Sequence, residues 1–289
     1  MNPALSAMLE RYRCESVDDY DRALREIIQE IALLGLWRSK FYERAAFYGG
    51  SALRILHGLE RFSEDLDFSL LRPDPGFSPK RYLAAARDEL LAFGFEVDVE
   101  EKIKRAGGPI RSVFIKGGTK KLMLDIQVPY SIVSRIPTNQ RVKVKLELDV
   151  DPPPGFKTEA KTLYQPIPFS VLAFSQPDLL AGKLHAVLCR RWKKRVKGRD
   201  WYDLVWFLAR QTPVRLTHLE ARLIQTNDWP PKKPLTKKAL SSLLLKSIDS
   251  TDFESARNDV APFLDDPQVT ALWSPAFFRD LIRDRLKTT

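Results

Sequence analysis

The change of hydrophobic period at Pro152-Pro153-Pro154-Gly155 constrains this chain more than any other feature. Just before it, residues 141–150 alternate without a fault. Val142, Val144, Leu146, Leu148 and Val150 point one way, while Lys143, Lys145, Glu147 and Asp149 point the other. Successive strand residues leave opposite faces of a sheet, so this segment is a strand with one buried and one polar face. Residues 95–104, 111–116 and 121–128 show the same period of two between Gly and Pro signals and are expected as strands. After the prolines come an irregular stretch and a short strand near 169–174. The period then turns helical, with helices expected at about 177–192, 200–211, 216–226, 237–248, 253–263 and 275–286. Ser175 followed by Asp178 carries the capping signal of the first of these. The expected class is α+β: a mixed-sheet lobe with helices over residues 1–160 and an all-α lobe over 161–289.

The N-terminal part adds order to that outline. A long helix is expected over 17–41, with Ser16 as cap, Asp18 and Asp19 in the first turn, and Tyr20, Leu24, Ile27, Ile28, Ile31 and Leu34 at helical spacing. Ala45-Ala46-Phe47-Tyr48 reads as a strand that stops at Gly49-Gly50. A short helix follows over 51–57, then an alternating strand over 65–71 and, after a Pro/Gly-rich turn, a helix over 80–93.

The chemistry lies in this strand, Gly-Gly-Ser turn, helix and Asp-x-Asp strand. Gly49 and Gly50 allow positive φ and a close approach of phosphate to the main chain. Ser51 opens a helix, where free N–H groups favour anions. Asp65 and Asp67 share one strand face, and two carboxylates side by side call for a cation. Mg²⁺ suits carboxylate oxygens together with substrate phosphates. A lone Gly-Gly is a turn, and a lone Asp-x-Asp on a wet face is solvated surface. In this order they describe metal-dependent nucleotidyl transfer from a nucleoside triphosphate.

The same residues carry a resemblance. Tyr48-Gly-Gly-Ser-Ala-Leu with Arg61-Phe-Ser-Glu-Asp-Leu-Asp-Phe-Ser-Leu resembles the entry motif of the AbiEii/AbiGii toxin family, polymerase-β-like nucleotidyltransferases related to the MenT toxins. Leu180-Ala-Gly-Lys-Leu-His-Ala-Val-Leu and Lys197-Gly-Arg-Asp-Trp-Tyr-Asp-Leu resemble its lysine helix and its basic–acid signature, so the likeness runs from about Phe47 to Leu208. It implies a nucleotidyltransferase core in which Gly50 and Ser51 hold the triphosphate, Asp65 and Asp67 bind Mg²⁺, Lys183 contacts phosphates, and Asp200 is a catalytic acid. Val187 stands where some relatives have threonine. The third carboxylate is Glu147 by a narrow preference, with Asp149 the alternative and Asp125 a poorer one. Arg61 is either a salt-bridge partner or a nucleotide contact. Asp203 shares a helix face with Asp200, and Trp201, Leu204, Val205 and Leu208 have core spacing. The resemblance further implies a toxin–antitoxin or phage-defence role, a cognate antitoxin, and the 3′ end of tRNA as acceptor, with translation as the casualty. The alternatives are nucleotidylylation of a protein or small molecule, and a non-catalytic protein that binds RNA or a partner on the same fold.

Charge bears on the acceptor. With 47 Lys+Arg against 37 Asp+Glu the formal charge is +10. Much of the excess lies in one run of candidate RNA contacts: Arg190, Arg191, Lys193, Lys194, Arg195, Lys197 and Arg199. Such a run attracts polyanions. Cys14 and Cys189 read as reduced thiols, and the scattered His57, His185 and His218 do not suggest a zinc site. His185 is expected to be a structural neighbour of Lys183. No apolar run approaches the roughly 20 residues that cross a bilayer, so a soluble, cytoplasmic protein is expected.

Overall fold

The computed structural model describes residues 3–102, 109–190 and 196–289. Contacts divide the chain into two compact units. One comprises Met1–His57, Glu64–Pro152 and Ala160–Ala173; the other comprises Gly58–Ser63, Pro153–Glu159 and Phe174–Thr289.

The first unit begins with α1 (Pro3–Leu9) and α2 (Val17–Arg38). Ser16 and Asp19 form a capping box, each side chain serving the other's backbone N–H. From Ala23 to Leu36 nearly every α2 residue is buried, as befits a helix wrapped by core on most sides. The helix stops at Arg38, short of the expected 41, because Lys40 turns left-handed with φ 63° and Phe41 enters a short 3₁₀ turn. Strand β1 (Ala45–Tyr48) runs straight into α3 (Gly49–His57), followed by β2 (Asp65–Leu70), α4 (Lys80–Ala92), β3 (Asp98–Lys102), β4 (Ile110–Gly118), α5 (Thr119–Asp125), α6 (Tyr130–Val133) and β5 (Arg141–Asp149). With β6 (Thr158–Leu163) and β7 (Phe169–Phe174) these strands form one seven-stranded mixed sheet in the order β3-β4-β5-β2-β1-β7-β6. β2 lies between antiparallel β1 and parallel β5. Leu66, Phe68 and Leu70 of β2 and Val142, Val144, Leu146 and Leu148 of β5 supply the buried face, where Phe68 meets Phe41 and Phe47 at 5.1 Å each. The class is the mixed α/β one expected.

Two segments depart from the sequence reading. Residues 121–128 were expected as a strand, yet α5 is a helix. Its Thr119, Leu122 and Met123 are buried, as is Ile126 at its C-cap, while Leu124 is 49% exposed. The alternation of Leu122, Leu124, Ile126 and Val128 hid a helical face at i, i+1 and i+4. Conversely, β6 lies in a stretch expected to be irregular. Its Thr-Glu-Ala-Lys-Thr-Leu side chains leave none buried, and as the end strand of the sheet it is defined by backbone pairing alone. Residues 103–108, which include the last two of the strand expected over 95–104, lie outside the described residues.

The second unit holds α7 (Gln176–Cys189), α8 (Gly198–Ala209), α9 (Leu216–Gln225), α10 (Lys237–Asp249), α11 (Phe253–Val260) and α12 (Pro275–Arg285). Short parallel strands β8 (Pro213–Val214) and β9 (Lys287–Thr288) pin the chain end. Trp201, Leu204 and Leu208 are buried as their spacing indicated, and Trp201 packs edge-on to Phe253 and Phe278. Val205 is only half-buried. Ser175 does not cap α7 with its side chain. Its hydroxyl donates to Asp178 (2.5 Å), whose carboxylate also accepts from Lys157 N–H and from Arg215. Among the described residues, no helix is long and apolar enough to cross a membrane.

Candidate active site

The first unit gathers its acids through strand register. Asp65 and Asp67 project from the half-buried positions of β2, alternating with buried Leu66 and Phe68. Parallel pairing sets Asp65 beside Lys145, Asp67 beside Glu147 and Ser69 beside Asp149. Glu147 therefore neighbours the aspartate pair, whereas Asp149 is one pleat further on, nearly buried, and accepts the N–H of Asp151 at 3.0 Å. Asp125 lies on α5, with burial holding its carboxyl above the ordinary range.

Lys145, to which the sequence reading gave no role, is the cation among these acids. Its ammonium stands 2.5 Å from Glu147, which also accepts from Ser112 at 3.2 Å. Burial by itself would lower the Lys145 ammonium. The Glu147 hydrogen bond and the charges of Glu147, Asp65 and Asp67 outweigh that and raise it. Asp65, Asp67 and Glu147 do not close to within 4.8 Å of one another. The face is nonetheless built for positive charge, and an all-oxygen donor set fits a hard divalent cation such as Mg²⁺. The signal for Lys145 was present in the alternation, which puts it on the Glu147 face.

Gly49 and Ser51 lock this face to the helix. Gly49 has φ +84°, and a methyl group there would overlap Oδ2 of Asp67 and stand 2.9 Å from its Cβ and Cγ. Only glycine permits both the turn and the approach. Ser51 is fully buried, and its hydroxyl donates to the Asp65 carbonyl. That hydroxyl ties α3 to β2, so what α3 offers an anion is the backbone N–H groups of its first turn, which have no partners within the helix.

In the second unit Asp203 is the centre. It is fully buried on α8 and accepts from Arg61 Nε and Nη2 at 2.6 Å each, a bidentate pair. Lys183 of α7 reaches the same carboxylate at 2.7 Å. Burial alone would raise the Asp203 carboxyl, but the charges and hydrogen bonds of Arg61 and Lys183 hold it below its ordinary value. Arg61 is thus a salt-bridge partner, one of its two expected roles. Asp200, also buried, accepts from Arg190 at 2.6 Å. Lys197 is pushed down to about 8 by burial, then by the neighbouring charges of Arg190, Arg199 and Lys183, with Asp200 opposing. A cavity of about 320 Å³ is lined by Arg190, Lys197, Asp200, Val187 and Ser247 among others. Arg199 stacks on Phe263 at 4.0 Å. Arg191, Lys193, Lys194 and Arg195 lie outside the described residues.

A mixed sheet with this strand, Gly-Gly-Ser, helix and Asp-x-Asp order defines a nucleotidyltransferase. The family model for the nucleotidyl transferase AbiEii toxin of type IV toxin–antitoxin systems matches residues 31–277, and the chain belongs to that family. JHP933 from Helicobacter pylori shares the fold, with TM-score 0.50 and 18% identity over 89% of this chain and 91% of that one. MenT4, the nucleotidyltransferase toxin Rv2826c of Mycobacterium tuberculosis H37Rv, aligns with TM-score 0.49 and 17% identity over 96% of this chain and 89% of its own. No curated protein matches in sequence.

Proposed function

We propose that this toxin transfers nucleotides from a nucleoside triphosphate to the 3′ end of tRNA, which blocks aminoacylation and so stops translation in the cytoplasm. The observation that carries the reaction type is the acidic face of Asp65, Asp67 and Glu147 around Lys145, closed against Gly49. Asp65 and Asp67, with Glu147 as third carboxylate, would hold Mg²⁺, which when bound neutralises triphosphate charge and orients the α-phosphate for in-line attack. Before it binds, Lys145 balances the acids. The first-turn N–H groups of α3 receive phosphate oxygens, and the Ser51 hydroxyl keeps β2 in place beneath them. Lys183 is oriented by Asp203 through one N–H, leaving two donors for phosphate. Asp200, oriented by Arg190, is the acid that meets the acceptor hydroxyl.

The acceptor rests on charge. A net +10 and the basic run from Arg190 to Arg199 suit a polyanion better than a neutral acceptor. A cognate antitoxin follows from the type IV family. The test is incubation of the protein with Mg²⁺, total tRNA and each labelled triphosphate in turn, with Asp67→Asn as control. Label on tRNA that disappears in the variant is expected. Label on a protein band selects protein nucleotidylylation instead. Growth inhibition that survives Asp67→Asn overturns catalysis as the toxic act.

A further inference from the structure

A second cluster of ligand atoms lies in the helical unit, formed by residues given no part in nucleotidyl transfer. His185 and Cys189 occupy i and i+4 on α7, so both side chains leave the same face one turn apart. Asp228 sits in the turn that follows α9. One ligand atom from each of the three lies within 4.8 Å of the other two, and all three residues are partly exposed. They are the one such group of three His, Cys, Asp or Glu residues among those described. We propose that His185, Cys189 and Asp228 form a Zn²⁺ site that fastens the C-terminal turn of α7 to the turn after α9.

The donor set is that of zinc rather than magnesium. A thiolate, an imidazole and a carboxylate are the three ligand types Zn²⁺ takes, and with a water they complete a tetrahedron. The backbone holds two of the ligands in advance. Asp228 N–H donates to Leu223 O at 2.8 Å, and Asn227, left-handed with φ 60°, donates to Ile224 O at 3.0 Å. The Cys189 position is fixed by α7 up to its last turn, where Arg190 N–H closes on Ala186 O.

The imidazole is oriented as well. His185 Nε2 lies 3.1 Å from Thr226 Oγ1. The Thr226 hydroxyl has one proton, and the carbonyls of Arg222 and Leu223 stand 3.2 and 3.3 Å from it to receive that proton. With that proton on either carbonyl, the hydroxyl accepts from His185. In that tautomer Nε2 carries the hydrogen and Nδ1 keeps the lone pair that a metal needs, the outer-sphere arrangement common to ligating histidines. Burial, then the charge of Arg222, holds His185 down to about 4, so the ring is neutral at physiological pH.

The test uses the full chain, stripped with chelator and titrated with Co²⁺ as the spectroscopic stand-in for Zn²⁺, in excess Mg²⁺ to fill the oxygen-only acidic face. One equivalent should give a thiolate-to-cobalt charge-transfer band and the strong visible bands of four-coordinate cobalt, both bleached by one equivalent of Zn²⁺. Cys189→Ser should abolish the charge-transfer band, while Cys14→Ser and Asp67→Asn leave it. His185→Gln and Asp228→Asn should weaken binding, and Thr226→Val should do so by about tenfold. Circular dichroism establishes that each variant is folded. No band in the parent protein, or a band that survives Cys189→Ser, overturns the proposal. Because the readout is absorption, its failure leaves the nucleotidyl-transfer reading untouched.

Discussion

At the scale of single residues, two positions carry more than their size suggests. Gly49 combines a left-handed backbone with contact against the Asp67 carboxylate. Gly49→Ala must displace one or the other, and a shift of about 1 Å in a reacting group costs on the order of a hundredfold in rate. The expected outcome is a kcat lowered by about that factor with a fold that still melts cooperatively, measured by nucleotide incorporation and by thermal unfolding. Asp203 is the other. Removing it leaves Arg61, 2% exposed, as a buried cation without its bidentate partner. Asp203→Asn should therefore cost about 3–5 kcal/mol in denaturant unfolding. Lys183→Met should cost clearly less, since Arg61 keeps Asp203 paired, while abolishing transfer if Lys183 meets phosphate. Equal losses of stability in the two variants would contradict this account of the trio.

Elements show where local patterning suffices and where it misleads. The alternation over 141–150 and the helical spacing in α8 are read correctly because each element has one unambiguous apolar face. In α5 a run of seven residues satisfies both periods, and only packing decides between them. The strand reading makes Leu122 and Leu124 equivalent, whereas the helix buries the first completely and leaves the second half exposed. Leu122→Ala should accordingly destabilise by about 2–5 kcal/mol, and Leu124→Lys should stay within about 0.5 kcal/mol. Urea unfolding of the two variants distinguishes helix from strand directly. Strand β6 failed to show itself for the opposite reason. Its pairing involves main-chain groups, and its side chains carry no burial pattern to read.

For the molecule as a whole, pH reports two histidines. His185 and His218 are each held down to about 4, His185 chiefly by burial and Arg222, and His218 by burial with its Pro154 hydrogen bond opposing. Unfolded histidine takes its proton near about 6.5. Between those values the unfolded chain binds protons that the folded chain refuses, so the contribution of these two histidines to stability falls as pH drops from about 6.5 toward about 4 and is constant above that window. Denaturant melts across the range, in chelator so that metal at His185 does not intervene, should show this acid limb. His218→Phe, which keeps an aromatic ring against Phe156 and Phe174, should shallow it by close to one proton.

The amino-acid sequence by itself determined the α+β class, the strand–turn–helix–strand order, and the placing of Gly49, Gly50, Ser51, Asp65 and Asp67 within it. Those features depend on periodicity and backbone conformation over a few residues, and such information is local. Tertiary structure alone decided which acid stands beside Asp67, because that follows from the register of β2 on β5, some 80 residues downstream. It also decided that the Ser51 hydroxyl is spent on the Asp65 carbonyl, and that Arg61 meets Asp203 across 142 residues of sequence. The convergence of His185, Cys189 and Asp228 is of the same kind. Two of these ligands share a helix face that the sequence displays, but the third arrives only when α7 packs on α9, and no spacing rule reaches that far.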